Sequence, residues 1–334
     1  MPGFRTLKCD LHMHTVFSDG DVWPTIRVFE AFRDGLDVIS ITDHAHYNPK
    51  KDDVRFDLNR PHAIARAFAE QLGLILVKGV EVAHGNMHFN AIFVKDAHAL
   101  VGVDLKEALV RARQQGAFAF WNHPGWRQTP QWYPLVADLH KAGLFGGMEV
   151  VNGSSFYPEA YPFIEEHKLA ILANSDVHRL IQDEYGKRGR PVTLVFVRTA
   201  DEAGLQEALT ARRSAAWMND EVWGFAPHLA ALWSGAVKVD RPEVACEAGG
   251  RVGLMLRNAS ALPFQVERVR GPEWLRGGGG LVRPEAVTGM VLTVDKKAPA
   301  GAHRVELEFE VTNFHTGPGR NLEVKVPLTV TVKR

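Results

Sequence analysis

Short apolar runs alternate with amphipathic stretches over the first two thirds of the chain. A run such as LDVISI has the length and composition of a buried strand, and DLKEALVRARQQG repeats apolar residues at the spacing of a helix. Asp104 and Gly116 stand where a helix cap is preferred at each end. About seven such β-α units follow one another, and this order predicts an α/β fold with a largely parallel sheet closed into a barrel.

The pattern changes near residue 236. Stretches such as RVGLMLRN and VELEFEVTN alternate apolar and polar residues, and turn residues separate them. This alternation is typical of strands with one buried face, so it predicts a small antiparallel β-sandwich. The sequence therefore predicts three parts: a barrel over residues 1–222, a joining segment 223–236 and a C-terminal β-sandwich 237–334.

Composition and charge argue against several classes of protein. The 334 residues include 39 basic and 39 acidic side chains, so a net charge of zero does not indicate a nucleic-acid surface. No apolar run reaches the roughly 18 residues that a transmembrane helix needs. The first residues lack the apolar stretch of a signal peptide. We expect a cytoplasmic protein as the chain is given, and a periplasmic or exported one if a signal peptide was removed.

Nine side chains that can bind metal ions lie at or near the ends of the predicted strands. His12 and His14 stand two apart on an extended segment, where alternate residues point the same way, and Asp176 and His178 repeat this spacing. A carboxylate inside an apolar run, such as Glu81, is costly unless it is paired. Because barrel enzymes carry their functional residues at the carboxyl ends of strands, we expect a cluster of divalent metals there. The nine are His12, His14, Asp19, His44, Glu81, His88, His123, Asp176 and His178.

These motifs resemble a known family over about the first 222 residues. The strings DLHMHT, SDG, TDH, GVEV, NHPG and SDVH follow one another as in the PHP (polymerase and histidinol phosphatase) metal-dependent phosphoesterases. The resemblance implies a distorted (β/α)7 barrel with two to three divalent ions, which are zinc, manganese or iron. It implies three ligand groups: His12, His14, Glu81 and Asp176; Glu81, His88 and His123, with Glu81 bridging; and Asp19, His44 and His178. His84 is the alternative to His88.

The resemblance implies a hydrolase. A hydroxide that bridges the ions would attack a small phosphate ester, either a phosphomonoester or a nucleotide-type phosphodiester. Two other functions stay open. A zinc amidohydrolase also begins with H-x-H on its first strand, but its bridging group is commonly a carboxylated lysine, and Lys78 is off that motif. A non-catalytic metal-binding module is the other.

Residues outside the metal set are candidates for acid–base and substrate roles. Asp43 and His46 flank His44, and either can move a proton or orient a ligand. Trp126 can form a wall of the pocket. Guanidinium groups suit phosphate oxygens, and the candidate arginines are Arg60, Arg127, Arg179, Arg188 and Arg190.

The expected partner of the barrel is a small phosphorylated substrate. The predicted sandwich holds no cluster of acids or cysteines, so we assign it no catalytic role. We expect it to bind a saccharide or a cell-envelope partner, to cover the side of the barrel, or to mediate dimerisation.

Overall fold

The computed structural model describes residues 3–186 and 189–333. Two compact units divide these residues, one comprising Gly3–Asn219 and the other the residues from Asp220 onwards. The predicted joining segment 223–236 therefore lies in the second unit, and the three-part domain division stays a prediction. Arg188 lies outside the described residues. Among the described helices, none has the length and apolar character to cross a membrane.

The first unit is built from strands and helices in near alternation. Its strands are β1 Arg5–Asp10, β2 Val38–Ile41, β3 Ile75–His84, β4 Met87–Ile92, β5 Phe118–Trp121, β6 Gly147–Asn152, β7 Ser155–Phe156, β8 Ala170–Asn174, β9 Val192–Val197 and β10 Ser214–Met218. Its helices are α1 Pro24–Arg33, α2 Arg60–Leu72, α3 Leu105–Gln114, α4 Pro134–Lys141, α5 Ala160–His167, α6 Ile181–Tyr185 and α7 Glu202–Thr210.

The strands of the first unit pair into mixed sheets with a parallel framework. β1, β2 and β3 pair in parallel, and so do β5, β6 and β8. β4 runs antiparallel to β3 and β5, and β9 runs antiparallel to β1 and β10. The predicted α/β fold with a largely parallel sheet is confirmed at this level. Closure of the sheet into a barrel stays a prediction.

Four of the parallel strands, β2, β5, β6 and β8, are buried along their whole length. Every residue of β2 and β8 is buried, as expected for strands covered by helices. Leu7, Val38, Val77, Phe120 and Leu172 meet in one apolar core. This core fixes the positions of the strand ends from which the candidate metal ligands project.

Local sequence sets the ends of the helices. The Asp104 side chain accepts a hydrogen bond from the Glu107 amide at the start of α3, as its capping position predicts. Gly73 ends α2 in the left-handed conformation, with φ at 73°. The short helices α4 and α6 are additions to the predicted elements, because so few turns give little periodicity to detect.

The second unit consists mainly of strands. β14 pairs antiparallel with β12 and β18, and β18 with β16; in the other sheet β19 pairs antiparallel with β15 and β20. Two pairs, β11 with β19 and β13 with β20, are parallel instead. The packing of the sheets as a sandwich stays a prediction. The elements are β11 Glu221–Gly224, α8 Ala226–Ala236, β12 Val237–Val239, β13 Glu243–Glu247, β14 Arg251–Asn258, β15 Phe264–Arg270, β16 Leu275–Gly277, β17 Gly280–Val282, β18 Ala286–Val294, β19 Gly301–Gly317 and β20 Arg320–Lys333.

Candidate metal centre

Two pairs of neighbouring chain segments bring the candidate ligands together. Beyond β1, Met13 forms a parallel β-bridge with Val177. The segment with His12 and His14 therefore lies beside the segment with Asp176 and His178. Beyond β2, His44 bridges Glu81 in β3 in the same way. These pairings thus place candidate ligands from separate strands close together.

Glu81 is the centre of the cluster. Its side chain is fully buried, and nitrogen atoms of five imidazoles surround its two oxygens. Three of the rings face Oε1 and two face Oε2. The distances are 3.5 Å to His12, 3.0 Å to His88 and 3.4 Å to His123 for Oε1, and 3.4 Å to His14 and 2.7 Å to His44 for Oε2.

Two aspartates complete the cluster on either side. Asp176 Oδ1 lies 3.2 Å from His12 Nε2 and 3.0 Å from His14 Nε2. Asp19 lies 3.3 Å from His178 Nε2 and 3.6 Å from His44 Nε2. All nine predicted ligands therefore occur in four overlapping groups of donor atoms, each spanning no more than 4.8 Å: His14, Asp19, His44 and His178; His12, His14 and Glu81; His12, His123 and Asp176; and His44, Glu81 and His88.

The donor atoms fit divalent ions better than they fit one another. His12 Nε2 and His14 Nε2 face each other at 3.2 Å, close to the roughly 3.4 Å between two ligands of one tetrahedral ion. Buried atoms without a partner normally occur where an ion or water is bound. Among the described residues, five buried cluster atoms form no hydrogen bond, although His44 Nδ1 and Glu81 Oε2 lie 2.7 Å apart: Asp19 Oδ1, His44 Nδ1, Glu81 Oε2, His123 Nδ1 and Asp176 Oδ1.

Backbone strain occurs at two of the candidate ligands. His123 has φ at 27° and Asp176 has φ at 54°, values that residues with a side chain seldom adopt. Such outliers persist where the surrounding structure enforces them and are frequent at functional sites.

Electrostatic coupling perturbs the protonation of the cluster. Burial, together with the charges of His178 and His44, lowers the pKa of His14 to about 3. Burial also acts to lower the pKa of His44, but Glu81 and Asp19 outweigh it and raise this pKa to about 10. Burial acts to raise the pKa of Glu81, yet the imidazoles of His44 and His12 hold it well below its usual value.

An open cavity of about 550 Å³ gives access to the cluster. Its size is that of a pocket for a small ligand. Arg127 is the candidate arginine in its wall, and its guanidinium lies 4.4 Å above the ring of Trp126. Besides ligand residues, the wall consists of His46, Tyr47, Gly85, Asn86, Trp126 and Arg127.

The two acid–base candidates occupy different positions. His46 lines the cavity, and burial, with the charges of His44 and His88, lowers its pKa to about 4. Asp43 is buried, and its carboxylate accepts hydrogen bonds from the Thr15 amide, the Thr15 hydroxyl and the Ser18 hydroxyl. Asp43 therefore holds the loop beside His14 through these hydrogen bonds.

Three of the candidate arginines lie elsewhere. Arg190 is buried and pairs with Asp10 and Asp34. Arg60 and Arg179 are exposed, and neither is in the wall of the cavity. His84, the alternative to His88, is exposed and outside the four donor groups.

Comparison with known proteins places the chain in a family. A two-domain protein from Bacteroides vulgatus, which contains a predicted PHP-like metal-dependent phosphoesterase, is 36% identical, with a TM-score of 0.90. The match covers 98% of this chain and 96% of the other. The chain belongs to the PHP-like metal-dependent phosphoesterase family. The resemblance of its motifs to this family is thereby confirmed.

Weaker likenesses add nothing about function. A metal-dependent phosphoesterase from Bifidobacterium adolescentis is 16% identical, with a TM-score of 0.44 over 61% of this chain and 96% of the other. An amidohydrolase from Chromobacterium violaceum is 18% identical, with a TM-score of 0.43 over 63% of this chain and 98% of the other. A comparison with protein-family models finds no match, and one with curated proteins finds none either.

Glu149 is a site residue of this PHP-like protein that the sequence reasoning missed. It is fully buried, its Oε1 lies 3.0 Å from His12 Nδ1, and its Oε2 accepts the His123 amide. Asn152 and Asn174 donate to it as well. A carboxylate that holds the far nitrogen of a ligand imidazole fixes the ring and its tautomer. The signal was present, because Glu149 interrupts the apolar run MEVV as Glu81 interrupts its own strand.

Replacing Glu149 by glutamine is expected to weaken metal binding about ten- to a hundredfold. Glutamine removes the negative charge opposite His12. Both oxygens of Glu149 accept hydrogen bonds, so the NH2 group of the glutamine would face another hydrogen-bond donor in either orientation. Calorimetric titration with Mn²⁺ measures the change. Glu70→Gln, at an exposed position of α2, is the control. Equal affinities in the two variants would contradict an orienting role for Glu149.

The metal affinity is expected to rise with pH because ions bind neutral imidazole. The pKa of His44 is raised from 6.5 to about 10, so its protonated form stabilises the metal-free protein. That contribution is complete below the unfolded value of 6.5 and is lost as the pH rises through about 10. Over the same pH range, protons compete less with metal ions for the His44 imidazole.

Titration with Mn²⁺ at about pH 6.5 and about pH 8.5, in buffers of different ionisation enthalpy, checks this dependence. We expect tighter binding at the higher pH and release of protons to the buffer. An affinity that does not change with pH, without proton release, would contradict it.

Proposed function

We propose that the protein hydrolyses a small phosphate ester, either a phosphomonoester or a nucleotide-type phosphodiester, with two to three zinc, manganese or iron ions. One observation carries the proposal: nitrogen atoms of five imidazoles lie within 3.5 Å of the buried Glu81 carboxylate, beside an open cavity. Buried carboxylates and imidazoles in such number bind ions or would be costly to fold. When bound, such ions supply Lewis acidity and activate water for attack on phosphorus.

The ligand groups that we propose are those that the family resemblance implies. His12, His14 and Asp176 would share one ion with Glu81, and His88 and His123 a second. His88 and His123 approach Oε1 and His14 approaches Oε2, while His12 lies 3.5 Å from Oε1. Contacts to both oxygens support a bridging carboxylate. Asp19, His44 and His178 would hold the third ion, and His14 also lies within reach of that group.

Residues in the cavity wall would bind and orient the substrate. Arg127 offers a guanidinium to the phosphate oxygens, and its position over Trp126 limits its motion. The lowered pKa of His46 keeps its ring neutral near pH 7, which favours acceptance of a proton from water over donation to the leaving oxygen.

The two other functions have less support. The Lys78 ammonium donates a hydrogen bond to the Lys95 carbonyl at 2.8 Å. Lys78 thus points away from the candidate ligands, which does not suit the bridging group of an amidohydrolase. A purely structural metal site is normally closed, whereas the cluster here faces an open cavity.

We propose no catalytic role for the second unit. Its strands fit a β-sandwich that follows a (β/α)7 barrel. A saccharide, a cell-envelope component or a second copy of the chain is its proposed partner.

Assays with Mn²⁺, Zn²⁺ or Fe²⁺ against aryl phosphomonoesters and phosphodiesters test the proposal. We expect turnover that needs a metal and stops on chelation. Efficient cleavage of amides or lactones without phosphoesterase activity would favour the amidohydrolase. No turnover of any of these substrates would overturn the assignment as an enzyme.

A further inference from the structure

A second cavity adjoins the one at the candidate metal centre. It has a volume of about 770 Å³, and both cavities have His46 and Tyr47 in their walls. These two rings therefore belong to a wall that the two cavities share. We call the second cavity the apolar groove; it lies between segment 45–56, the Val82–Ala83 part of β3 and segment 100–105.

The two cavities differ in chemistry. Asp19, Glu81 and Asp176 face the cavity over the cluster, which suits ions and a phosphate group. The apolar groove has no acidic residue in its described wall, and its surface consists mainly of Val, Leu, Ala, Pro and Phe side chains. Lys51 supplies an ammonium at this wall. A cavity lined by acidic residues thus lies beside a groove suited to uncharged, apolar groups.

We propose that the apolar groove binds the alcohol part of the substrate, and that this part is uncharged and largely apolar. The inference rests on the proposed function, because it places the phosphate at the metal ligands. The volume of the groove falls within the range of pockets that take whole small ligands. A cationic alcohol would lose its water there without a described acid to pair with it, and the charged side chain in the described wall is that of the exposed Lys51. An apolar alcohol gains from burial.

Primary alkyl phosphates of increasing chain length test the proposal. Methyl, butyl and hexyl phosphate all release a primary alkoxide, so differences in kcat/KM report on binding of the chain. Each buried methylene contributes up to about a fourfold gain. We expect kcat/KM with Mn²⁺ to rise at least about tenfold from methyl to hexyl phosphate. Turnover that is independent of chain length would overturn the proposal.

Binding without turnover separates this inference from the proposed function. Methyl-, butyl- and hexylphosphonate carry the same chains but have no ester bond to cleave. Calorimetric titration into the Mn²⁺-loaded protein should show affinity that grows with chain length. Growth in affinity without hydrolysis of any phosphate would support the groove and overturn the phosphoesterase proposal. Hydrolysis with equal phosphonate affinities would do the reverse.

Charged substitutions in the apolar groove test whether the chain-length dependence of kcat/KM arises there. Val103 and Phe56 are half-buried in its wall, and Val103→Glu and Phe56→Glu should each lower the hexyl-to-methyl ratio of kcat/KM toward one. Val291→Glu makes the same change at a residue that is 59% exposed in the second unit, and should keep the wild-type ratio. A ratio that stays at the wild-type value in both groove variants would overturn the assignment.

Discussion

Replacing Glu81 by alanine is expected to abolish phosphoesterase activity and metal binding together. The carboxylate is fully buried and lies within 3.5 Å of nitrogen atoms on five imidazoles. Without it, the ions that we propose on its two sides lose their shared ligand. Bound ions contribute several kcal/mol of transition-state stabilisation, so kcat/KM should fall at least about a thousandfold. Activity with Mn²⁺ and the metal content after dialysis measure the effect.

Two further variants make the Glu81 experiment specific. Glu70→Ala removes a carboxylate from an exposed position of α2 and should retain both metal and activity. Glu81→Asp keeps the charge but withdraws it by one methylene, so we expect intermediate metal content. If Glu81→Ala binds as much metal as the wild type, the central position of this carboxylate has no functional meaning.

The candidate ligands could be predicted because each one breaks a simple pattern. His12 and His14 alternate on an extended segment, and Glu81 interrupts an apolar strand. These signals are local in the sequence, and the parallel strands place the residues concerned at one edge of the sheet. The arginines give no such signal. Arg190 forms hydrogen bonds with Asp10 and Asp34, which are far from it in the sequence, so no local pattern predicts its position.

Strand direction was harder to predict than strand position. An apolar run looks the same in a parallel and an antiparallel pair, and β4 runs antiparallel to both of its neighbours. One local signal was available. β3 and β4 are separated by Gly85 and Asn86 alone, and Gly85 has φ at 58°, which is typical of a tight hairpin. The β-α alternation of the chain obscured this connection.

Replacing Arg27 by methionine is expected to destabilise the first unit by about 3–5 kcal/mol, the usual effect of breaking a buried ion pair. Its guanidinium is buried and lies 2.8 Å from Glu30 Oε2. It also donates to the carbonyl oxygens of His14 at 2.9 Å, Val177 at 3.0 Å and Arg179 at 2.6 Å. The variant leaves Glu30 buried with less compensation and removes the donor of three carbonyls. Urea-induced unfolding of the metal-free protein measures the change.

Arg27 also connects the two segments that carry His14 and His178, so its loss should reach the metal site. Arg33→Met, at an exposed position of the same helix, is the control and should change the free energy of unfolding little. Leu109→Ala, in the buried face of α3, should cost a comparable 2–5 kcal/mol, roughly, without touching the ligands. We expect Mn²⁺ affinity to fall in Arg27→Met and to be kept in Leu109→Ala. Equal affinities in these two destabilised variants would mean that Arg27 stabilises the fold without positioning the ligands.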